Sequence, residues 1–264
     1  MSAPAIFDQQ HYDLLNRTRG DVVRALLGEF KEPLSLRTAI DVGCGLGYFS
    51  GFLRSLGFDV TAVDGRQQNV AEAQRRNPDV RFFRFDAEDP AMKSLGEFDL
   101  VFCFGLLYHL ENPFLAMRHL HAMTKKLLLV ESVIFPGSLP LMALVDEGRT
   151  EDQGLNHIAF YPTETCLTKM LYQSGFPFVY EFFIKPEHPA FLSEGSKRPS
   201  RTMLAASLSP IQAKCIRPVL EPRLPYNSWN SSDQESNPLL KVRSFVKKSL
   251  PEKIKSIKRA VKGK

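Results

Sequence analysis

Apolar residues recur along the chain with two different periods, and the order of these segments predicts a layered α/β fold. Apolar residues at helical spacing predict helices, one of which ends at Gly57 and another at Asn77-Pro78. Strands that alternate with helices form mostly parallel sheets with helices on both faces. Short runs of apolar and β-branched residues predict the strands, at 39–42, 58–64, 80–86, 98–104 and 127–134.

The pattern changes after the fifth predicted strand. An irregular segment at 135–161 mixes polar and apolar residues and is interpreted as a substrate-side flap, because long loops in compact domains are usually functional or disordered. A helix is predicted at 163–174 with Thr163 as its N-cap. The last two of the seven predicted strands form an antiparallel pair, at 178–184 and 202–207.

The segment Asp41-Val42-Gly43-Cys44-Gly45-Leu46-Gly47 connects the first strand to the helix that follows it. Glycine at every second position lets the backbone turn sharply and lie close to a ligand, because glycine has no Cβ. The start of the following helix offers unpaired N–H groups to a negatively charged group. The spacing differs from the dinucleotide fingerprint G-x-G-x-x-G, since the third glycine comes one residue early and Tyr48 stands in its place.

Carboxylates stand at the ends of the next two strands. Asp64 ends the second strand and Asp86 ends the third. An acid at the tip of the second strand of a βαβ unit can accept hydrogen bonds from both hydroxyls of a ribose. The carboxylate of Asp86 can accept a hydrogen bond from an adenine amino group. Both residues are therefore candidate ligands of a nucleoside.

Taken in order, the runs DVGCGLG, AVD, FDA and FDLVFCFGLLYHLENP resemble the class I S-adenosylmethionine-dependent methyltransferase family. The resemblance covers residues 38–134 and includes all the family's signature elements in order. It implies an α/β, Rossmann-like fold with a seven-stranded, mostly parallel sheet. It also implies methyl transfer as the activity and S-adenosyl-L-methionine as the cofactor.

The resemblance further implies which part of the cofactor each site residue contacts. It assigns the methionine part to Asp41, Gly43, Gly45 and Gly47, the ribose to Asp64, the adenine to Asp86 and Ala87, and the sulfonium side to Phe104 and Gly105.

Members of this family often carry an N-terminal helical lid over the cofactor. The apolar stripe at 7–30 is interrupted around Gly20, which predicts two short helices there. On such a lid, Tyr12, Arg17 and Arg19 are candidates to reach the carboxylate of the methionine part. The alternative is that these side chains belong to an exposed helix face, as charged residues mostly do.

Tyr108 and His109 follow the fourth strand and are the candidate catalytic residues. They come at the carboxyl end of a parallel sheet, where such folds place their sites. An oxygen or nitrogen acceptor that carries a proton needs a base, and histidine can take up a proton near neutral pH. The alternative is that His109 packs against, or caps, the helix that begins at Asn112.

The chain also resembles the tRNA uridine carboxymethyltransferases, which use carboxy-S-adenosylmethionine. The segments that carry this second resemblance are Leu107-Tyr108-His109, Asn112-Pro113, Val130-Glu131-Ser132 and 156–162. In those enzymes the tyrosine and a late arginine contact the cofactor's extra carboxylate. Tyr108 matches that tyrosine, and Arg201 is the match to the arginine. The chain lacks most of their long N-terminal region and a clear counterpart of its cofactor lysine, which favours an ordinary methyl donor.

The composition is that of a globular α/β protein, with 264 residues, 44% hydrophobic and 24% charged. We expect one methyltransferase domain at 1–210, with 1–36 as its lid, followed by a linker at 211–240. Residues 1–10 contain no basic and no apolar run, so a signal peptide is not expected, and no apolar run approaches the roughly 20 residues of a membrane span. The four cysteines form no C-x-x-C pair and no metal-ligand spacing. A reduced, cytoplasmic protein without a metal is expected.

The positive net charge of the chain comes from the segment 241–264. Ten Lys and Arg residues against one acid give this segment a net charge of +9. Since the net charge of the whole chain is +5, the residues before 241 have a net charge of about −4. Leu250, Ile254, Ile257 and Val261 fall on one helical face, which is typical of an amphipathic helix at a membrane surface. The expected partner is an anionic membrane, contacted peripherally. A nucleic-acid arm and a solvated tail are the alternatives.

Three functions are compatible with these patterns. The first is an O- or N-methyltransferase of a small-molecule, sugar or lipid-linked acceptor. The second is a nucleic-acid-modifying methyl or carboxymethyl transferase, which the basic tail supports and the acidic body opposes. The third is a cofactor-binding protein without turnover, which the intact set of acids and glycines opposes.

Overall fold

The computed structural model describes residues 6–150, 152–192 and 199–224. The chain divides into two compact units, Met1–Pro222 and Arg223–Lys264. Nearly all described residues belong to the first unit, and the account below concerns that unit alone. The predicted basic segment 241–264 lies outside the described residues, as does 225–240 of the predicted linker.

Ten strands and five α-helices make up the described unit. The helices are α1 (Gln10–Phe30), α2 (Tyr48–Ser55), α3 (Gln67–Arg76), α4 (Pro113–Met123) and α5 (Glu164–Gln173). The strands are β1 (Thr38–Val42), β2 (Asp59–Asp64), β3 (Arg81–Arg84), β4 (Phe98–Phe104), β5 (Thr124–Ile134), β6 (Met142–Asp146), β7 (Ile158–Pro162), β8 (Phe178–Phe182), β9 (Ser200–Ser207) and β10 (Ile216–Pro218).

The main sheet has the order β3-β2-β1-β4-β5-β9-β8-β10. Its first five strands are mutually parallel, β9 runs antiparallel to β5 and β8, and β10 runs antiparallel to β8. The mixed, mostly parallel α/β fold and the antiparallel pair β8–β9 are confirmed. The predicted number of seven strands is wrong, because the eight-stranded sheet gains β10 at its edge. This strand lies in the segment predicted as linker.

Helices cover both faces of the sheet, as expected. One apolar core joins the sheet to α1, α2 and α3, and it includes Leu26, Leu53 and Phe102. The other joins it to α4 and α5 and includes Met117 and Leu171. Two packed faces leave only the strand ends open to a ligand, and the carboxyl ends of β1, β2 and β4 lie side by side there.

The N-terminal region forms one continuous helix, α1, so the prediction of two short helices is wrong. Gly20 does not interrupt it and is buried against α2, where a Cβ would lie 3.5 Å from the ring of Phe52. A Cβ at that distance would make ordinary van der Waals contact, so the space does not require glycine. The helix continues because the burial of its apolar face outweighs the cost of about 1 kcal/mol for one glycine.

The segment predicted as an irregular flap contains regular structure. Strands β6 and β7 pair antiparallel to form a separate two-stranded sheet, and residues 147–157 form the loop between them. The helix α5 follows as predicted, since Thr163 Oγ1 accepts a hydrogen bond from the backbone N–H of Cys166 at 3.0 Å. The 147–157 loop reaches the site described next.

Candidate active site

A cavity of about 580 Å³ opens at the carboxyl ends of the parallel strands. Its wall is formed by the glycine loop, by the ends of β2 and β4, by α1 and by the 147–157 loop. Of the eleven residues assigned from the sequence to cofactor binding or catalysis, ten line it: Gly43, Gly45, Gly47, Asp64, Asp86, Ala87, Phe104, Gly105, Tyr108 and His109. The volume is within the usual range for cofactor and small-molecule sites.

The glycine loop requires glycine at two of its positions for steric reasons. Gly43 has φ +78° and Gly47 has φ +84°, a region that side chains with a Cβ rarely adopt. A Cβ at Gly43 would lie 2.9 Å from Leu106, and one at Gly47 would lie 2.7 Å from Asn77. The backbone can therefore follow the cavity wall closely only with these residues.

Asp41 is the only one of these eleven residues that does not line the cavity. Its side chain is buried below the glycine loop, where Ser50 Oγ donates to Asp41 Oδ2 at 2.7 Å. Burial raises the pKa of this carboxyl to about 7, although the bond from Ser50 opposes the shift. The residue therefore joins β1 to α2, the two elements that flank the glycine loop.

Asp64 lies at the cavity edge and anchors both loops that border it. One carboxylate oxygen accepts the backbone N–H of Gly45 at 3.0 Å, and the other accepts the backbone N–H of Arg66 at 2.8 Å and Asn69 Nδ2 at 3.1 Å. Burial raises its pKa in spite of these bonds. Carboxylate oxygens offer about four lone-pair directions, so Asp64 retains acceptor capacity toward the cavity.

The far end of the cavity is formed by the turn after β3. Asp86 is exposed and accepts the backbone N–H of Glu88 at 2.9 Å, while Ala87 is buried. Nδ1 of His119, on α4, lies 3.0 Å from the carbonyl oxygen of Ala87 and fixes that peptide. This end is thus a small apolar wall with the exposed carboxylate of Asp86 beside it.

A buried charge cluster forms the opposite end, and the sequence did not identify it as a unit. Glu131, fully buried at the centre of β5, accepts Arg19 Nη1 at 2.9 Å and Arg201 Nη1 at 2.7 Å. Arg201 Nη2 also donates to the hydroxyl of Tyr108 at 3.0 Å. Two guanidinium groups on one carboxylate leave the cluster with a formal charge of +1 beside the cavity. Arg19, Tyr108 and Arg201 all line it.

The cluster remains ionised despite its burial. Desolvation acts to raise the pKa of Glu131, but Arg201 and Arg19 outweigh it and the pKa is lowered. Desolvation raises the pKa of the Tyr108 hydroxyl, which therefore keeps its proton. Because the Tyr108 oxygen accepts a hydrogen bond from Arg201, the hydroxyl proton points away from Arg201. Arg19 Nε is buried and has no partner among the described residues.

The three lid candidates have different positions on α1. Arg19 is buried in the charge cluster, and Tyr12 lines the cavity with its hydroxyl donating to Asp152 Oδ2 at 2.6 Å. Arg17 is 61% exposed, pairs with Asp13 at 3.0 Å and does not line the cavity. The interpretation as an exposed face thus holds for Arg17 only.

His109 lies on the cavity wall beside the ring of Tyr108, with ring centroids 4.0 Å apart. Its Nδ1 is 2.5 Å from Oε1 of Glu147, the first residue after β6. Oε2 of the same carboxylate accepts the backbone N–H of Gly154 at 2.8 Å. His109 therefore contacts the 147–157 loop, and Asn112 forms no side-chain cap on α4.

A family model described as a methyltransferase domain matches residues 13–181. The chain belongs to this methyltransferase family. With its mostly parallel sheet and glycine loop it is a class I S-adenosylmethionine-dependent methyltransferase, and the expected fold, enzyme class and cofactor are confirmed. The cavity suits that cofactor, because it places carboxylate acceptors and a close-lying backbone where a nucleoside requires them.

Curated relatives share part of the methyltransferase. This chain is 32% identical over 154 residues to the tRNA U34 carboxymethyltransferase of Actinobacillus succinogenes, and the aligned region covers 54% of this chain and 46% of the relative. It is 37% identical over 78 residues to the ubiquinone biosynthesis O-methyltransferase of Colwellia psychrerythraea, covering 28% of this chain and 32% of the relative. The chain thus spans less than half the length of these relatives.

Solved structures support the fold. The N-terminal domain of EvdMO1, with SAH bound, superposes with a TM-score of 0.62 at 20% identity over 75% of this chain and 84% of its own. The magnesium protoporphyrin IX methyltransferase of Synechocystis, also with SAH bound, superposes with a TM-score of 0.54 at 19% identity, over 79% of this chain and 90% of its own.

Two further features concern the described residues alone. Within 6–150, 152–192 and 199–224, each helix is too short or too polar to cross a bilayer. In the same ranges no group of three or more His, Cys, Asp or Glu residues is placed to hold a metal ion.

Proposed function

We propose that the cavity holds S-adenosylmethionine in the orientation that the sequence resemblance implies. The free acceptor capacity of Asp64 supports a ribose at this residue, and the small wall around Ala87 supports an adenine beside Asp86. Phe104 and Gly105, at the end of β4, face the sulfonium side, with Gly43, Gly45 and Gly47 along the methionine part. Asp41 acts indirectly, by joining through Ser50 the two elements that flank the loop.

We propose that the enzyme methylates an oxygen or nitrogen of a small-molecule, sugar or lipid-linked acceptor. The cofactor supplies an electrophilic methyl group on a sulfonium. The observation that carries the proposal is the placement of His109, which lines the cavity with Nδ1 held by Glu147. Its Nε2 forms no hydrogen bond to another residue of the described ranges and is available to take the acceptor's proton.

The test is transfer of tritiated methyl from S-adenosylmethionine to three fractions of a cell extract. These are polar small molecules, lipid-linked glycans and bulk tRNA. We expect label in the small-molecule or the lipid-linked glycan fraction. In His109→Asn this labelling should fall about 10²–10⁴-fold. A matched control is His11→Asn, since His11 is an exposed residue of α1. Label in tRNA alone, or full transfer by His109→Asn, contradicts the proposal.

A second candidate is carboxymethyl transfer to tRNA. It is favoured by one observation, the hydrogen bond from Arg201 to Tyr108, which joins the two residues that match the carboxylate-binding pair of the carboxymethyltransferases. The formal +1 charge of the cluster supports an additional carboxylate on the donor. Arg201, which the sequence resemblance already matched to that arginine, is therefore included among the proposed site residues.

Mass spectrometry of the cofactor co-purified with the full chain distinguishes the two donors. The first proposal predicts S-adenosylmethionine or its demethylated product, and the second predicts the carboxylated form. In competition experiments, Tyr108→Phe weakens binding of the carboxylated donor selectively if the second candidate holds. Equal effects of this variant on both donors count against it.

A further inference from the structure

Glu147 has a buried side chain that directly contacts the candidate base, and the sequence pattern of the flap at 135–161 gave this residue no role of its own. Its side chain is 2% exposed, although it stands at the start of the 147–157 loop. Acidic side chains are almost never this buried unless they are paired. Its partner is Nδ1 of His109, 2.5 Å from Oε1.

The second carboxylate oxygen is also engaged. Oε2 accepts the backbone N–H of Gly154 at 2.8 Å, so both oxygens of Glu147 act as acceptors. Gly154 has no space for a side chain, because a Cβ would lie 2.5 Å from the carbonyl oxygen of His109 and 3.0 Å from Glu147 Oε2. The three residues thus form one closely packed unit on the cavity wall.

This geometry determines the tautomer of His109. An ionised carboxylate can only accept, so Nδ1 of a neutral imidazole beside it must carry the proton. The lone pair then lies on Nε2, which is the form that a general base requires. We propose that Glu147 is a positioning residue that fixes His109 in the Nδ1–H tautomer, an inference that rests on the proposed role of His109 as base.

The loop that carries this unit is held at two further points. The guanidinium of Arg66 donates to the carbonyl oxygens of Gln153 at 2.8 Å and Gly154 at 3.2 Å, and the hydroxyl of Tyr12 donates to Asp152. The backbone N–H of Arg66 also donates to Asp64. The loop is therefore fixed relative to the cofactor side of the cavity, which keeps Glu147 aligned with His109.

The substitution Glu147→Gln gives a specific test, because an amide has one acceptor atom where the carboxylate has two. The N–H of Gly154 can only donate, so the amide oxygen stays on Gly154 and the NH₂ group donates to Nδ1. His109 is then forced into the Nε2–H tautomer. We expect this switch in ¹⁵N NMR spectra of histidine-labelled full chain at pH 8, with the His109 signals identified by their loss in His109→Asn.

The same variant is expected to lower kcat for tritium transfer to the small-molecule extract by on the order of 10² or more, with KM for S-adenosylmethionine unchanged. Asp146→Ala, which removes an exposed carboxylate one residue away, leaves tautomer and rate unchanged. An unchanged tautomer or an unchanged kcat in Glu147→Gln overturns the inference. Full transfer by His109→Asn overturns the proposed base itself, and the two failures are therefore distinguishable.

Discussion

Replacement of Glu131 by glutamine removes the negative charge from the centre of the buried cluster. In the wild type this fully buried carboxylate is 2.9 Å from Arg19 and 2.7 Å from Arg201. In Glu131→Gln, two guanidinium groups remain in the same low-dielectric region without a counter-charge. Because the amide has only one acceptor oxygen, one of the two arginines also loses its hydrogen bond.

The expected loss in the free energy of unfolding is about 3–5 kcal/mol, the range for breaking a buried ion pair from one side. This is a large share of the 5–15 kcal/mol typical of a domain. The difference in the free energy of unfolding between the wild type and Glu131→Gln decreases as the pH falls. The folded-state pKa of Glu131 is lowered, so its contribution is present above the unfolded-state value near 4.5 and is lost as the pH falls through the folded-state value.

Urea unfolding followed by circular dichroism measures this loss. Glu181→Gln is the matched control, since Glu181 on β8 pairs with Arg217 at 2.6 Å but Arg217 is 64% exposed. An exposed pair contributes about 0–1 kcal/mol, so the control should change little. If Glu131→Gln costs no more than Glu181→Gln at pH 7, Glu131 is not the counter-charge of a buried cluster.

Three further predictions concern other parts of the chain. Asp41→Asn should raise the melting temperature of the ligand-free protein at pH 8 but not at pH 4. The folded-state pKa of Asp41 is raised to about 7, so above that pH the ionised carboxyl destabilises the folded state, and the neutral amide does not. Equal shifts in melting temperature at both pH values would argue against this. Gly154→Ala should reduce transfer and destabilise by about 1–3 kcal/mol, since its Cβ meets His109 at 2.5 Å; a variant with normal stability by urea unfolding and normal transfer would refute this. The 241–264 segment should carry the full chain to anionic but not neutral liposomes in co-sedimentation at low salt, and truncation after Leu224, which keeps β10, should abolish that binding; a full chain that stays in the supernatant with anionic lipid rejects it.

The core of the fold and the cofactor side of the cavity could be predicted from sequence because their signals are local. Each central strand is a continuous apolar run, and Asp64 and the glycines of the loop follow directly from such runs. The parallel topology then brings these strand ends together without further information.

The missed features depend on contacts between distant segments. Gly20 does not break α1, because the apolar face of that helix is buried in the core. Strand β10 is only three residues long and exists through its pairing with β8. The pair β6–β7 is joined by a long loop without a tight-turn signal. Nothing local distinguishes Glu131 in the middle of an apolar strand until two arginines from other elements meet it.

The central claim is that this cavity binds S-adenosylmethionine through Asp64. The most direct test is titration calorimetry of the full chain with S-adenosylhomocysteine, comparing the wild type with Asp64→Asn. Asp59→Asn is the control, since Asp59 begins the same strand and is exposed. We expect Asp64→Asn to weaken binding by about 1.5–3 kcal/mol, the value of hydrogen bonds to a charged group, with no change in Asp59→Asn. Wild-type affinity in Asp64→Asn would contradict the account.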